Sequence, residues 1–180
     1  MMAMGDEVSR SQGGNNNTWC QGSPLGWMIW SPEECDSLLH EFARKLVNIR
    51  KQLPSIFSPT IPRVEKGSNC ELDDNTLSIQ WHGIELDNPD WGSWSHSLSF
   101  SVHIGTGDAS MWMGLNACSQ DLQFQLPKAC TKWHLLINTA NPIPNDAPKG
   151  SMAWDEKNIN LKNRSLVMTL DEKLVKALKL

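Results

Sequence analysis

Two adjacent carboxylates, Asp6 and Glu7, are the first residues in the chain whose types could do chemistry. They follow an apolar stub, residues 1–4, which we interpret as the end of a β-strand. Neighbouring side chains at a strand end point to opposite faces. An opposed acid and nucleophile acting on a glycosidic bond need carboxyl groups about 5–5.5 Å apart. We therefore expect Asp6 and Glu7 to support a site rather than to form such a pair.

A turn-rich polar stretch follows at 13–17, where two glycines lead into three consecutive asparagines. Asparagine is a poor former of helix or strand, and its side chain carries both donors and an acceptor. Loops at the end of a strand often carry function. Asn16, Asn17 and the nearby Trp19 are therefore candidate binding residues, although core packing is the favoured interpretation for most of the nine tryptophans.

Histidine and tryptophan gather again between residues 81 and 96, in the strings Trp81-His82-Gly83, Pro89-Asp90-Trp91 and Trp94-Ser95-His96. A zinc site would need cysteine or carboxylate partners at close spacing, and the nearest cysteines lie far away in sequence. We expect no metal and no cofactor here, but a turn pinned by tryptophan packing. The glycines at 105 and 107 lie between two strand-like runs, which favours a hairpin turn over a phosphate loop.

The clearest helix is predicted over residues 31–53. Ser31 is its expected N-cap, Pro32 its first residue and Glu34 the partner in a capping box, while Pro54 ends it. Apolar residues recur along one stripe at helical spacing, namely Cys35, Leu38, Leu39, Phe42, Leu46, Ile49 and Leu53. Burial of each such side chain is worth roughly 1.5–3 kcal/mol, so the stripe requires a partner surface.

Apolar residues alternate with polar ones between residues 76 and 170, which predicts an antiparallel β-sandwich. Six alternating runs begin at Leu77, Leu98, Met111, Leu122, Trp133 and Leu166. Residues 57–75 are predicted to be a linker, and residues 139–160, with three prolines, an ordered surface loop. Residues 171–180 form a tail with the pattern of a frayed helix.

The composition excludes several partners. A formal net charge of −4 favours neither nucleic acid nor an anionic membrane surface, and no apolar run has the length of a membrane span. The five cysteines include no Cys-x-x-Cys pair. Reduced thiols in a cytoplasmic protein are the simplest interpretation.

Residues 4–21 also carry a resemblance to a known family. They read Met-Gly-Asp-Glu-x-x-Arg-x-Gln-x-Gly-Asn-Asn-Asn-Thr-Trp-Cys-Gln, which resembles a signature of the isoamylase and glycogen-debranching branch of the α-amylase superfamily. Weaker matches follow in the family's order over roughly residues 3–169, at Pro24-Leu25-x-Trp27-x-x-Trp30, Gln80-Trp81-His82-Gly83, Pro89-Asp90-Trp91, Gly114-Leu115-Asn116-Ala117 and Arg164-Ser165-Leu166-Val167-Met168. The version around Trp94-Ser95-His96 resembles cyanobacterial members.

The resemblance implies a mainly β fold, in which a C-terminal antiparallel β-sandwich follows the last strand, loop and helix of a (β/α)8 barrel at residues 1–56. It implies a glycoside hydrolase that cuts α-1,6-glucosidic branch links in glycogen or a starch-like α-glucan. The family's catalytic carboxylates follow barrel strands four, five and seven, upstream of this chain. Asp6, Glu7, Asn16, Asn17 and Trp19 would then line or shape the glucan cleft at the mouth of the barrel.

We therefore expect this chain alone to be catalytically incompetent, and we interpret its start as an internal methionine of a longer gene. The helix stripe is then covered either by a partner, such as the missing barrel portion, or by the sandwich, if the helix folds back on it. A non-catalytic carbohydrate-binding or interaction module is the alternative hypothesis, because the chain is rich in tryptophan and a β-sandwich is predicted.

Overall fold

The computed structural model describes residues 2–28, 30–31, 36–57, 63–65, 76–105, 108–129, 131–141, 153–154 and 157–178. The chain divides into two compact units, Met1–Gln52 and Leu53–Leu180. The first holds two short 3-10 turns, at Asp6–Val8 and Pro24–Gly26, and helix α1 at Ser37–Gln52.

The strand predicted at residues 1–4 is not formed in the described part of that stub. A strand needs hydrogen-bond partners on a neighbouring strand, and the first unit supplies none among its described residues. The Ala3 N–H instead donates to Asp6 Oδ2 at 3.0 Å. Gly5 then turns the chain with a left-handed φ of 101°, where a Cβ would lie 2.8 Å from the Arg10 side chain.

Helix α1 begins later than the capping-box pattern predicts. Asp36 caps it, because Asp36 Oδ1 accepts from the Leu39 N–H at 2.9 Å and Asp36 O accepts from the His40 N–H at 3.0 Å. Residues 32–35, with Pro32 and Glu34 of the predicted capping box, lie outside the described residues. The helix ends at Gln52, and a single helical turn, α2, follows at Pro54–Phe57.

The apolar stripe of α1 is unevenly covered. Ile49 is buried, but Leu38 and Leu46 are 52% and 38% exposed, and the neighbouring Val47 is 47% exposed. The sequence-based expectation that this stripe requires a further surface therefore stands, since part of it faces solvent in this chain.

Among its described residues, the second unit contains nine strands in two sheets. The large sheet has the order β1-β2-β3-β4-β9-β6-β7, and the small sheet pairs β5 with β8. Their bounds are β1 Arg63–Glu65, β2 Leu77–His82, β3 Ser97–Ile104, β4 Ala109–Asn116, β5 Leu122–Gln125, β6 Trp133–Asn138, β7 Ala153–Trp154, β8 Asn158–Leu161 and β9 Ser165–Asp171. All pairs are antiparallel except β1 with β2.

All six runs predicted as strands are strands in the structure, which confirms the mainly antiparallel β architecture. Three short strands were missed. The strand β1 lies in the predicted linker, and β7 and β8 lie at the end of the predicted surface loop. None of the three belongs to a long run of alternating apolar and polar residues. The β3–β4 connection is the hairpin predicted at 105–110, although residues 106–107 lie outside the described residues.

The two sheets of the second unit pack through a cluster of buried side chains. Trp112 meets Phe124 edge-on with ring centroids 6.1 Å apart, which joins β4 of the large sheet to β5 of the small one. The rest of the cluster is Leu126, Ala129, Trp133, Ile159, Leu161 and Val167. We call the side of the large sheet that carries Trp112 and Val167 its inner face.

The opposite side of the large sheet, its outer face, is also apolar. Residues directly opposite in antiparallel strands share a face, and the register aligns Trp81 with Phe100, Phe100 with Met113, and Met113 with Met168. The regular alternation read from the sequence marks this outer face, because every apolar position of those runs in β2, β3, β4 and β9 falls on it.

The tail forms helix α3, Glu172–Leu178, as the sequence predicts. The buried Asp171 fixes its start, because Asp171 Oδ1 accepts from the Lys173 N–H at 2.9 Å and Asp171 Oδ2 accepts from the Thr131 N–H at 2.8 Å. Within the described ranges, none of the helices combines the length and the apolar character that crossing a bilayer demands.

Candidate functional site

The Asp6 and Glu7 carboxylates serve the local backbone in this chain. Glu7 Oε2 accepts from the Gly5 N–H at 2.9 Å, and Asp6 Oδ2 accepts from the Ala3 N–H. These bonds close the tight turn at the start of the chain. The structure thus gives both carboxylates a supporting role of the kind expected from their adjacency, and their predicted part in substrate binding stays a prediction.

Two of the three asparagines, Asn15 and Asn17, form successive side-chain turns. Asn15 Oδ1 accepts from the Asn17 N–H at 2.9 Å, and Asn17 Oδ1 accepts from the Trp19 N–H at 3.0 Å. Such side-chain mimicry of a turn holds the loop without a strand or a helix. Asn16 is exposed, and Trp19 is 82% exposed at the end of these turns. The loop therefore presents an indole to solvent on a hydrogen-bonded base.

His82, the first histidine between residues 81 and 96, is buried and belongs to a hydrogen-bond network of polar side chains. His82 Nε2 and His103 Nε2 each lie 2.9 Å from the hydroxyl of Ser101, and His82 Nδ1 accepts from the Asp87 N–H at 2.9 Å. The Ser101 hydroxyl thus bridges the two imidazoles, and the Asp87 Oδ1 atom also lies 3.1 Å from His82 Nδ1. Among the residues described, no group of three or more His, Cys, Asp or Glu side chains could hold a metal.

Replacement of Ser101 by alanine is expected to lower the free energy of unfolding by about 1–3 kcal/mol, because two buried imidazole nitrogens lose this shared partner. Urea unfolding followed by tryptophan fluorescence measures the change. Ser97→Ala, on the same strand and outside the network, is the matched control. A Ser101→Ala chain as stable as the Ser97→Ala chain would contradict the assigned network.

The remainder of the stretch is a tight loop, as the sequence predicts. A Cβ on Gly83 would collide with the Asn88 carbonyl oxygen, and Asp90 Oδ1 accepts from the Gly92 N–H at 2.9 Å. Trp91 packs edge-on against Trp81 with centroids 5.6 Å apart. The loop borders a shallow cleft of about 370 Å³, whose lining includes Asp90, Trp91, His96, Leu98, Leu115 and Ala117.

Asn116, in the Gly-Leu-Asn-Ala string, is a residue whose role sequence reasoning did not identify. It is 2% exposed at the end of β4. Its Nδ2 group donates to the carbonyl oxygens of Gln120 at 2.9 Å, Lys162 at 3.0 Å and Leu161 at 3.3 Å, and its Oδ1 accepts from the Cys118 N–H at 2.9 Å. The sequence did carry a signal for this role, because an asparagine at the end of an apolar strand is a candidate for a buried, hydrogen-bonded amide.

An exposed ion pair closes the same corner. Asp121 Oδ2 accepts from Lys162 Nζ at 2.8 Å, and Asp121 Oδ1 accepts from the Asn163 N–H at 3.0 Å. These two hydrogen bonds hold the pKa of the Asp121 carboxyl below its ordinary range. The hydrogen bonds of Asn116 and Asp121 therefore hold the end of β4 and the turn after it against the β8–β9 turn.

The fold and its ordered motifs define an antiparallel β-sandwich domain whose motif residues mainly hold loops in place. The chain belongs to the family described as Isoamylase 1-3, C-terminal, which matches residues 80–179. The fold and the family confirm the identification made from residues 4–21 and the later strings.

Curated relatives agree with this assignment. Isoamylase 1, chloroplastic, of Oryza sativa subsp. japonica is 29% identical over 147 residues, or 81% of this chain and 17% of the relative. The glycogen operon protein GlgX homolog of Mycobacterium tuberculosis is 30% identical over 160 residues, or 79% of this chain and 22% of the relative. The glycogen debranching enzyme of Pectobacterium atrosepticum is 28% identical over 156 residues, which are 84% of this chain and 20% of the relative. The chain thus spans about a fifth of the length of these relatives.

Proposed function

We propose that this chain is the C-terminal part of an α-glucan debranching hydrolase, which cuts α-1,6 branch links through a glycosyl-enzyme intermediate. The family match at residues 80–179 carries the proposal, and the Gly-Asp-Glu and triple-asparagine strings upstream support it independently. The reaction needs a carboxylate nucleophile and a carboxylic acid on opposite sides of the bond. We assign these groups, by the resemblance, to a catalytic barrel portion that precedes the chain.

Several described carboxylates have structural partners in this chain, and the resemblance assigns the reacting groups to the preceding portion. Asp6 and Glu7 bind their own backbone, Asp171 caps a helix, and Asp121 pairs with Lys162. A carboxylate held by its own backbone or by a lysine is poorly placed to attack a sugar. The isolated chain is therefore proposed to be inactive, with the preceding barrel portion as its partner and α-glucan as the substrate of the assembled enzyme.

An exchange chimera tests this function. In it, the matched region of the Mycobacterium tuberculosis GlgX homolog is replaced by this chain. We expect the chimera to release linear chains from glycogen, because the catalytic portion is complete and the family domain is retained. A second chimera that carries an unrelated β-sandwich is the control. Activity no higher than that of the control, from a chimera that is folded by circular dichroism, would contradict the proposal.

The substrate-binding part of the proposal centres on Trp19, with Asn16 and Asn17 shaping its loop. The indole is 82% exposed, so its face is free to stack on a glucose ring. In the exchange chimera, Trp19→Ala is expected to raise KM for maltooligosaccharides by about 10-fold at unchanged kcat, which corresponds to roughly 1.4 kcal/mol of binding. Trp27→Ala, which removes another exposed indole of the same unit, is the matched control. Equal KM values for the two variants would remove Trp19 from the site.

A further inference from the structure

We propose that the β2–β3 loop, residues 83–96, forms an α-glucan binding site together with the shallow cleft that it borders. This inference rests on the proposed function, because that function supplies α-glucan as the class of ligand. It adds a binding site on the sandwich itself, which neither the family match nor the assignment of Trp19 provides.

Two indoles of this loop are exposed and yet held in place. Trp91 is 64% exposed, and it packs edge-on against Trp81 with ring centroids 5.6 Å apart. Trp94 is 74% exposed, and a Cβ on Gly92 would collide with its indole, so this ring lies directly against the Gly92 backbone. Each indole is therefore supported on one side and open to solvent over most of its surface.

The loop that carries these indoles is anchored to the sandwich near both of its ends. Near its start, the Ile84 carbonyl oxygen accepts from the Gln125 N–H at 2.9 Å. At its end, the His96 carbonyl oxygen accepts from the Ala117 N–H at 2.8 Å, and the turn at Asp90 lies between the two anchors. A surface that is already ordered loses less conformational entropy when a ligand binds.

The lining of the cleft favours a neutral ligand. Its volume of about 370 Å³ lies within the range of roughly 300–1,000 Å³ that is typical of small-molecule sites. Trp91, Leu98 and Leu115 supply apolar surface, and the exposed Asp90 and His96 supply polar groups. Among the residues that the structure describes, the lining includes neither lysine nor arginine, the residues that recognise phosphate and carboxylate groups.

The chemistry of a glucan chain matches this lining. A glucose ring has apolar C–H groups on its faces, which stack on an indole, and hydroxyl groups around its edge. A carboxylate accepts hydrogen bonds from such hydroxyls, and an imidazole both donates and accepts them, so Asp90 and His96 suit the ring edge. The proposed substrate is a polymer of these rings, and a site that holds one segment of it raises the effective concentration of the others.

Binding of α-glucan by the purified 180-residue chain tests the site. Electrophoresis through native gels that contain glycogen measures retardation of the chain, and titration with maltoheptaose measures Kd from tryptophan fluorescence. We expect retardation by glycogen and saturable binding of maltoheptaose. Cellohexaose, whose glucose units are joined by β-1,4 links, is the ligand control and is expected to bind several-fold more weakly.

Two pairs of variants locate the binding on the loop. Trp94→Ala is expected to raise Kd about 10-fold, whereas Trp27→Ala, which removes an exposed indole of the first unit, is expected to leave it unchanged. Gly92→Ala keeps the indole of Trp94 but displaces it, so it is expected to weaken binding as well. Its matched control is Gly22→Ala, where a Cβ meets no atom within 4 Å. Urea unfolding verifies that each variant is folded.

Absence of glucan binding by the folded chain would overturn the site, as would equal Kd values for Trp94→Ala and Trp27→Ala. Equal binding of cellohexaose would overturn the assignment to α-glucan. Binding that is lost in Trp19→Ala and kept in Trp94→Ala would belong to the first unit, and the assignment to the loop would be wrong.

The exchange chimera separates this inference from the proposed function. In an active chimera, Trp94→Ala is expected to raise KM for glycogen several-fold and to leave KM for a short branched maltooligosaccharide unchanged. An unchanged KM for glycogen would overturn the site in the assembled enzyme. An inactive chimera would contradict the proposed function, whereas binding of maltoheptaose by the isolated chain that depends on Trp94 would still support the site.

Discussion

Replacement of Asn116 by aspartate is expected to lower the free energy of unfolding by about 3–5 kcal/mol, which is the cost of leaving a buried charge uncompensated. The amide is buried and donates to three carbonyl oxygens, those of Gln120, Leu161 and Lys162. A carboxylate oxygen in the same place has no hydrogen to donate and repels all three carbonyls. The corner that joins β4 to the β8–β9 turn would therefore open.

Urea unfolding of the purified chain measures this loss. Asn160→Asp is the matched control, because Asn160 is exposed on β8 and the chemical change is the same. It is expected to shift stability by no more than about 0.5 kcal/mol. An Asn116→Asp chain as stable as the control would show that Asn116 does not lock this corner. The Asn of the family string is thus assigned to the fold and not to chemistry.

Trp112→Ala is expected to cost about 3–5 kcal/mol, the range for removing a large aromatic side chain from a core. Trp112 is fully buried, and its ring lies against Phe124 and over Gly114, where a Cβ would collide with the indole. Marginal domains have only about 5–15 kcal/mol of stability, so this single change removes a large share. Loss of the ring also removes the Trp112–Phe124 contact, which is one of those that join the two sheets.

The companion variant Trp112→Phe separates packing from hydrogen bonding. The indole N–H of Trp112 is buried and has no hydrogen-bond partner among the described residues. Phenylalanine therefore gives up ring area but no hydrogen bond, and it should recover most of the loss seen with alanine. Thermal unfolding by circular dichroism distinguishes the variants. Equal destabilisation by Phe and Ala would contradict a packing role for the ring.

Alternation of apolar residues was sufficient to predict six of the described strands, because the alternation has the period of a strand. The two faces of a sheet obey the same period, so the pattern could not reveal which face the second sheet covers. In β3, the alternating Leu98, Phe100 and Val102 lie on the outer face, whereas the inner face carries Ser99 and Ser101. Polar residues on the inner face are satisfied by hydrogen bonds such as that from Ser99 Oγ to the Gly83 carbonyl at 2.8 Å.

The short elements escaped prediction for different physical reasons. The strand β8 has the sequence Asn-Ile-Asn-Leu, whose two apolar residues are too few for a period to be read, yet Ile159 and Leu161 are both buried. Helix α1 begins at Ser37 and not directly after Ser31, because the Asp36 side chain accepts from the Leu39 N–H and caps the helix there. The stub at 1–4 was read as a strand end from its apolar residues, and no neighbouring strand is present in the described part of its unit to pair with it.

The candidate site was predictable in part. Adjacency alone indicated that Asp6 and Glu7 act as supports, and their bonds to the backbone agree with that role. The buried His82 chain could not be predicted, because it depends on the register that brings Ser101 and His103 beside it. The role of Asn116 depends likewise on the β8–β9 turn, which is distant in sequence.

The activity of the isolated chain tests the central claim most directly. The purified 180-residue chain is incubated with glycogen, and the release of reducing ends and of linear chains is measured against the active exchange chimera. The account predicts no release by the chain alone, because the reacting carboxylates belong to the preceding catalytic portion. Release of linear α-glucan chains by the isolated chain, abolished by substitution of its own Asp6 or Glu7, would contradict it.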